Sequence, residues 1–333
     1  MASTSGKRHQ PLITVLGSLN MDLVSYVSHH PLPGETMTSS RFAVSPGGKG
    51  ANQAVACAKL SRSRANADAD ADPNDESASA HIRMLGAVGD DSYGSQLFAN
   101  LRRHGVDTSG VTASPSLKTG LAIIIVDEPT GENRIVLSPE ANHSLLAPKF
   151  SSPSSLGDPL PDLLIMQLEI PLPTVLAALK AAREAGVPVL LNPAPAQTLP
   201  PEAYEGLAHL VVNETEAAEL SQIPLPKDEN YEPWLPMVGE VFLMRRVQTV
   251  IVTLGSRGVY YVTADGKQGM VPAEKAKVVD TTAAGDTFVG QYALEVVSGN
   301  FDVDNAIKKA NHAAAKTVER LGAQDSIPWR DEL

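Results

Sequence analysis

One cysteine, Cys57, stands in a chain of 333 residues. A lone thiol can form neither an intrachain disulfide nor a cysteine zinc cluster, and a reducing cytoplasm is the simplest compartment. There is no run of ~18 or more apolar residues such as a membrane helix requires. The first ten residues are small, polar and basic, without the apolar stretch of a secretory signal, and are expected to fray. Positive charge is scarce as well, with 27 Lys and Arg against 38 Asp and Glu and a formal net charge of −11. That balance argues against a nucleic-acid or anionic-membrane partner, either of which favours a basic face. It leaves room for a phosphorylated ligand, because a phosphate needs only a few locally placed donors. The terminal Arg330-Asp331-Glu332-Leu333 resembles an ER-retention tetrapeptide, but without a signal sequence it is read as ordinary chain. Asn142-His143-Ser144 and Asn213-Glu214-Thr215 match the glycosylation sequon and carry no meaning in a cytosolic protein.

What the sequence does contain is alternation. Short apolar runs at 12–16, 82–88, 163–168, 187–191, 210–212, 249–253 and 259–262 read as strands. Stretches at 50–60, 93–104, 173–185, 285–297 and 303–321 read as helices. Such an order predicts an α/β domain with a mostly parallel sheet covered on both faces. Residues 23–44 and 119–137 break the pattern, with β-type residues, Gly, Pro and Asn turns and no helix between strands. Together they are expected to form a small second sheet acting as a lid, a device that keeps water from a reacting group. The expected division is a core of residues 11–22, 45–111 and 138–333 and a lid of 23–44 and 112–137. Residues 61–80, almost wholly Ala, Asp, Ser, Asn and Arg, are read as a flexible acidic insertion within the core.

Two strings carry chemistry. In Asp280-Thr281-Thr282-Ala283-Ala284-Gly285-Asp286-Thr287-Phe288, a small-residue turn leads into an amphipathic helix. Ala283, Ala284 and Gly285 let backbone N–H groups approach an anion, and the helix dipole points its positive end the same way. This suits the charge that builds on a transferring phosphoryl group, with Asp286 placed to accept a proton from an attacking hydroxyl. The bland alternative for Asp286 is a helix cap. In Ser45-Pro46-Gly47-Gly48-Lys49-Gly50-Ala51-Asn52-Gln53, paired glycines permit close backbone approach while Lys49 and Asn52 supply donors. It is not a Walker A loop, since Gly50 rather than Ser or Thr follows Lys49.

With these two strings the chain resembles the ribokinase family of carbohydrate kinases, from Val15 to Trp329. Further landmarks fall in order: Gly17 to Asp22, Met166 to Glu169, Asn192 to Ala196, Asn213 to Glu216, Thr253 to Gly258, and Gly322-Ala323-Gln324. The resemblance implies a three-layer α/β/α fold with a β-sheet lid. It also implies transfer of the ATP γ-phosphate to O5 of D-ribose, with Asp286 as base and the 283–285 backbone as anion hole. Fructose, deoxyribose, adenosine or 2-keto-3-deoxygluconate are alternative acceptors, and a non-catalytic sugar-binding regulator is an alternative of another class. The sugar ligands implied are Asn20, Met21, Asp22, Gly48, Lys49, Gly50, Ala51, Asn52, Glu169 and Asp286. Asn213 and Glu216 are implied for the ATP phosphates and Mg2+, and Thr253, Leu254, Gly255, Ser256, Arg257, Gly258, Gly285 and Asn311 for the nucleotide. Read alone, Asn213 and Glu216 are also a capping box. A K+ site is implied at Asp280, Thr282, Thr317, Arg320, Gly322 and Ser326, mostly through carbonyl oxygens. A homodimer through the lid is expected, since an apolar face on a small sheet is buried by an identical face. The cytoplasm and also the nucleus are the compartments implied.

Overall fold

The computed structural model describes residues 10–64 and 75–333. The chain runs β1 (Leu12–Leu16), β2 (Asn20–Val27), β3 (Arg41–Gly47), α1 (Lys49–Ser61), β4 (His81–Gly89), α2 (Ser92–Arg103) and β5 (Asp107–Ser114). It continues through β6 (Gly120–Asp127), β7 (Asn133–Ser138), β8 (Leu163–Met166), α3 (Leu172–Ala185), β9 (Val189–Leu191), β10 (His209–Asn213) and α4 (Glu214–Ser221). The remainder is α5 (Trp234–Met244), β11 (Thr249–Thr253), β12 (Val259–Thr263), β13 (Gln268–Val271), α6 (Ala284–Val296) and α7 (Val303–Val318).

Nine strands form the main sheet in the order β13-β12-β11-β10-β9-β8-β1-β4-β5. All neighbours are parallel except at one edge, where β11–β12 and β12–β13 are antiparallel. Successive residues on a strand point to opposite faces, so one apolar run feeds two cores. Leu163 and Ile165 enter a cluster with α1, α6 and α7, while Leu164 and Met166 enter another with α3 and α5. Val211 and Ile251 join the first cluster, and Val212 and Val252 the second. The result is the three-layer α/β/α arrangement, with helices on both sheet faces.

A separate four-stranded sheet has the order β3-β2-β6-β7. Its outer pairs are antiparallel, but β2 and β6 run parallel, so two hairpins join side by side. Its borders differ from those expected. Asn20 to Asp22 and Ser45 to Gly47, assigned to the core, pair with each other within this sheet. Residues 112–114, assigned to the lid, pair with β4 in the main sheet. Only three residues, Gly17 to Leu19, separate β1 of the main sheet from β2 of the small one, so the sequence carries little mark at the border.

The acidic insertion also begins and ends in packed structure. Ser61 closes α1, Arg62 is fully buried and donates to the Gly105 carbonyl at 3.3 Å, and Ala78 and Ala80 are buried. The Ser79 N–H donates to the Ser61 carbonyl at 2.9 Å, pinning the two ends together. Alanine is anchor enough where two backbones lie this close. Residues 65–74, and 1–9 of the expected tail, lie outside the described residues.

Candidate active site

The motifs converge at the C-terminal ends of the parallel strands, where open α/β sheets place ligands. Ser18 lies in the link after β1, Asn20 and Asp22 start β2, and the link after β8 brings Gln167 and Glu169. The start of α1 bonds to Glu169 and to Asp286 of α6. Three donors meet on Oε2 of Glu169: Ser18 Oγ at 2.5 Å, the Lys49 N–H at 3.0 Å and Asn20 Nδ2 at 3.4 Å. Glu169 thereby ties the first strand to the glycine turn. Gly48 has φ +86°, and a side chain there would meet the Asn20 backbone nitrogen at 2.7 Å, so the turn requires glycine.

Asp22 is buried, and its pKa is pushed up to about 7 by burial first, then by the neighbouring charges of Glu169 and Asp286. For the Lys49 ammonium, burial acts downward. The carboxylates of Asp286, Glu169 and Glu216 outweigh it and hold the pKa above its ordinary value. Lys49 is thus a cation among carboxylates, with hydrogen-bond donors and acceptors both at hand. Met21 and Ala51, expected among the sugar ligands, are core residues instead, each about 1% exposed. Met21 alternates with Asn20 and Asp22 on β2 and so points to the opposite face. The Ala51 N–H is taken by the Ser18 carbonyl at 2.9 Å.

Asp286 sits in the first turn of α6 and is 7% exposed. It does not cap its helix. Its Oδ2 accepts from Asn52 Nδ2 at 3.1 Å and its Oδ1 from Gln53 Nε2 at 2.9 Å, both on α1. The helix begins instead at Ala283, held in the left-handed region at φ +60° with no side-chain cap. The Ala284 N–H leans on the Thr281 carbonyl at 3.3 Å. The N–H groups of Ala283 and Gly285 have no partner among the described residues, and a side chain at Gly285 would project into open space. A turn with free N–H groups, a dipole behind it and room in front fits an anion.

Behind the turn, Asp280 Oδ1 accepts from the Thr282 N–H at 2.9 Å and hydroxyl at 2.7 Å, and its Oδ2 from the Gly322 N–H at 2.9 Å. These bonds hold its carboxylate below the usual range despite the opposing effect of burial, the largest single influence. Three of the expected cation residues, Asp280, Thr282 and Gly322, are thus tied together. The Thr317 side chain is buried against Thr287 at 2.9 Å, and the Arg320 guanidinium pairs with Glu332 at 3.1 and 3.3 Å. Only their carbonyls remain for an ion. Ser326 Oγ donates to the Ala323 carbonyl at 2.7 Å.

Among the residues expected to border the nucleotide, Asn213 and Glu216 do form the capping box, with bonds of 2.8 and 3.0 Å. Glu216 uses only Oε2 for it. Leu254 N–H closes on the Gly258 carbonyl at 2.8 Å, with Gly255 and Gly258 both at positive φ. Ser256 is exposed on this turn. Arg257 is engaged by Glu214 at 3.5 Å and Glu229 at 3.3 Å and lies over the Tyr231 ring. Asn311 Nδ2 donates to the Pro272 carbonyl at 3.1 Å.

Sequence reasoning missed several polar residues. Asn142, read as an idle sequon, is buried and mimics a strand partner: it accepts from the Leu19 N–H at 2.9 Å and donates to the Leu19 carbonyl at 3.0 Å and Asn20 Oδ1 at 2.8 Å. Ser18, Gln53, Gln167 and Asn192 also join the site. The Gly-Ser-Leu-Asn and Met-Gln-Leu-Glu landmarks contain two of them without naming a role.

The comparisons agree with this architecture. A family model described as pfkB family carbohydrate kinase matches residues 10–330. Ribokinase of Schizosaccharomyces pombe is 42% identical over 320 residues, covering 95% of this chain and 94% of that one. Ribokinase of Thermotoga maritima superposes with a TM-score of 0.80 at 36% identity, with 97% of each chain covered. The structure of Arabidopsis thaliana ribokinase complexed with ribose and ATP gives 0.83 at 28% identity, again with 97% of each covered. The chain belongs to the pfkB family of carbohydrate kinases. It is an enzyme, a phosphotransferase of the ribokinase-like fold that uses ATP.

Proposed function

We propose that the acceptor is D-ribose, phosphorylated at O5, and that Asp286 is the general base. The observation that carries the base assignment is a carboxylate at a helix N-terminus bound by neighbouring side chains rather than by its own helix. Each oxygen accepts one amide donor and keeps a lone pair for a hydroxyl. Asn20, Asp22, Lys49, Asn52 and Glu169 hold the sugar, with Gly48 and Gly50 giving it close backbone approach. O5 loses its proton to Asp286 as it bonds to the γ-phosphorus. The bond from that phosphorus to the β–γ bridging oxygen breaks, and ADP leaves. The N–H groups of Ala283 and Gly285 stabilise the charge on the phosphoryl oxygens.

Asn213 and the unused Oε1 of Glu216 would serve Mg2+ through water, an arrangement that suits an ion reluctant to shed its hydration. Asp280, with carbonyls of Thr282, Thr317, Arg320 and Gly322 and the region of Ser326, would hold K+. One carboxylate among carbonyls matches a large singly charged ion and would stiffen the anion turn. Thr253 to Gly258 and Asn311 would border the nucleotide.

A homodimer is proposed through the small sheet. Leu23, Val44, Ile123 and Val136 pair in register as one row across four strands, and Phe42 lies on the same face. Phe42, Val44, Ile123 and Val136 are 43–61% exposed, an apolar stripe of the kind that marks an interface.

The test is a coupled assay of ATP consumption with ribose, deoxyribose, fructose, adenosine and 2-keto-3-deoxygluconate, with and without K+. Ribose is expected to give the highest kcat/KM, and a strong preference for adenosine would overturn the acceptor. Asp286→Asn is expected to lower kcat by about three orders of magnitude or more with sugar KM little changed. Near-normal turnover in that variant removes Asp286 from the role.

A further inference from the structure

Gln324 and Gln167 fall within motifs that the substrate contacts leave unexplained. Both are buried, Gln324 4% and Gln167 0% exposed, and both belong to chains of carboxamides that end on Asp286. One chain runs Asn100 Nδ2 to Gln324 Oε1 at 2.6 Å, Gln324 Nε2 to Asn52 Oδ1 at 3.0 Å, and Asn52 Nδ2 to Asp286 Oδ2 at 3.1 Å. The other runs Gln167 Nε2 to Gln53 Oε1 at 2.6 Å and Gln53 Nε2 to Asp286 Oδ1 at 2.9 Å. Four separate parts of the chain are tied to the carboxylate in this way: α1, α2, the segment after β8 and the segment after α7.

The polarity of each chain is not a matter of choice. An ionised carboxylate only accepts, so Asn52 must turn its amide nitrogen to Asp286 and its oxygen to Gln324. Gln324 must then present nitrogen to Asn52 and oxygen to Asn100, and Asn100 must present nitrogen. Each amide dipole has its positive end toward Asp286, and such chains strengthen one another in a low-dielectric interior. The converse also holds: a chain with fixed polarity fixes the carboxylate's plane. Gln324 is itself held at its backbone, where Lys59 Nζ donates to its carbonyl at 3.0 Å from a site that is 4% exposed. Gly17 makes room for the second chain, since a side chain there would overlap Gln167 Oε1.

We propose that Gln324 is a positioning residue for the phosphoryl-transfer base: through Asn52 it sets the orientation of the Asp286 carboxylate, without touching sugar or nucleotide. This rests on Asp286 being the base. It assigns Asn52 a second duty beside holding the sugar, and it makes the segment after Gly322 part of the catalytic geometry.

The test uses two substitutions in the full chain, with kcat and both KM values measured from mildly acid to mildly alkaline pH and folding followed by thermal melting. In Gln324→Met the donor is gone and Asn52 is free to rotate. The expected result is a loss in kcat on the order of tenfold, with KM for ATP unchanged. In Gln324→Glu the shape is kept, but the ionised side chain cannot donate to Asn52. Asn52 then turns its nitrogen to the introduced carboxylate and its oxygen to Asp286, setting oxygen against oxygen at the base. When protonated, the same side chain regains an O–H that can donate to Asn52 Oδ1. The ratio of Gln324→Glu to wild-type kcat is therefore expected to rise by about tenfold as pH falls, while the Gln324→Met ratio stays flat. A packing role would produce no such difference between the two variants. Should Gln324→Met melt early, the near-isosteric Gln324→Glu carries the comparison. An inactive Asp286→Asn beside Gln324 variants with wild-type kcat and pH profile overturns this inference alone. A fully active Asp286→Asn overturns the base assignment and this inference together.

Discussion

Two acids at the site have opposite environments, and the difference is measurable at the scale of single residues. Asp286 is surrounded by amide donors, whereas Asp22 is buried beside Glu169 and Asp286 with its pKa raised to about 7 from 3.8. A raised carboxyl pKa means that the folded state binds a proton which the unfolded state has released. Between pH 3.8 and about 7, stability therefore falls as pH rises, and above about 7 the whole cost is present. Asp22→Asn is expected to raise the melting temperature of the sugar-free protein in mildly alkaline buffer, by a stabilisation of roughly 4 kcal/mol at most. The gain is expected to vanish at about pH 3, below both pKa values, where folded and unfolded states are alike protonated. A gain of equal size in acid and in alkali would point to some other cause. Gly285→Ala separates function from stability in the same way. The new methyl meets open space and alanine is the better helix former, so melting is expected to be unchanged or higher. Yet the methyl occupies the mouth of the anion turn, and kcat is expected to fall by about tenfold or more. The place of Asp286, in the first turn of a helix behind a small-residue turn, is legible in the sequence because that turn and the helix it opens are local features. Gln324 and Asn142 are not, because a carboxamide declares its role only through partners that lie 272 and 122 residues away in the chain.

At the scale of elements, strands with strong apolar runs are legible, and so are helices with a clear apolar face. Three elements are not. β5 carries Asp107, Thr108, Ser109 and Gly110 in its first half, an edge-strand composition that resembles a loop. α5 is apolar over most of its circumference and contains Pro236, so it shows little helical period. β13 is four residues long with two of them exposed. The lid is legible as β structure, but its border is not, and the parallel β2–β6 pair cannot be inferred from local turns because the two strands are brought together by the fold. The row Leu23, Val44, Ile123 and Val136 makes the assembly testable. Ile123→Asp with Val136→Asp places two charges on the exposed stripe without touching the main cores. Sedimentation is expected to change from dimer to monomer. An unchanged dimer would place the interface elsewhere.

Across the whole molecule, distant parts of the chain close around the site. The C-terminal residues pack on α1 and α7: Arg330 donates to the Ser61 carbonyl at 2.8 Å, Asp331 accepts from the Arg64 N–H at 2.8 Å, and Glu332 pairs with Arg320. The tetrapeptide that resembles an address is therefore engaged in tertiary contacts. Between Arg320 and this clasp lies Gln324, so part of the proposed ion site, the proposed positioning residue and the last residues share one short segment. Composition indicates none of this, since long-range closure leaves no periodic trace.

The strand β2 has Asn20 and Asp22 at one end and Tyr26 and Val27 at the other, with a continuous hydrogen-bonded ladder between them. It is a single stiff lever with the proposed sugar grip at its root and the proposed subunit contact along its length. A partner that clamps the outer part restrains the inner part, so the free energies of assembly and of sugar capture become linked quantities. By reciprocity, whatever dilution costs in sugar affinity, sugar must return in subunit affinity.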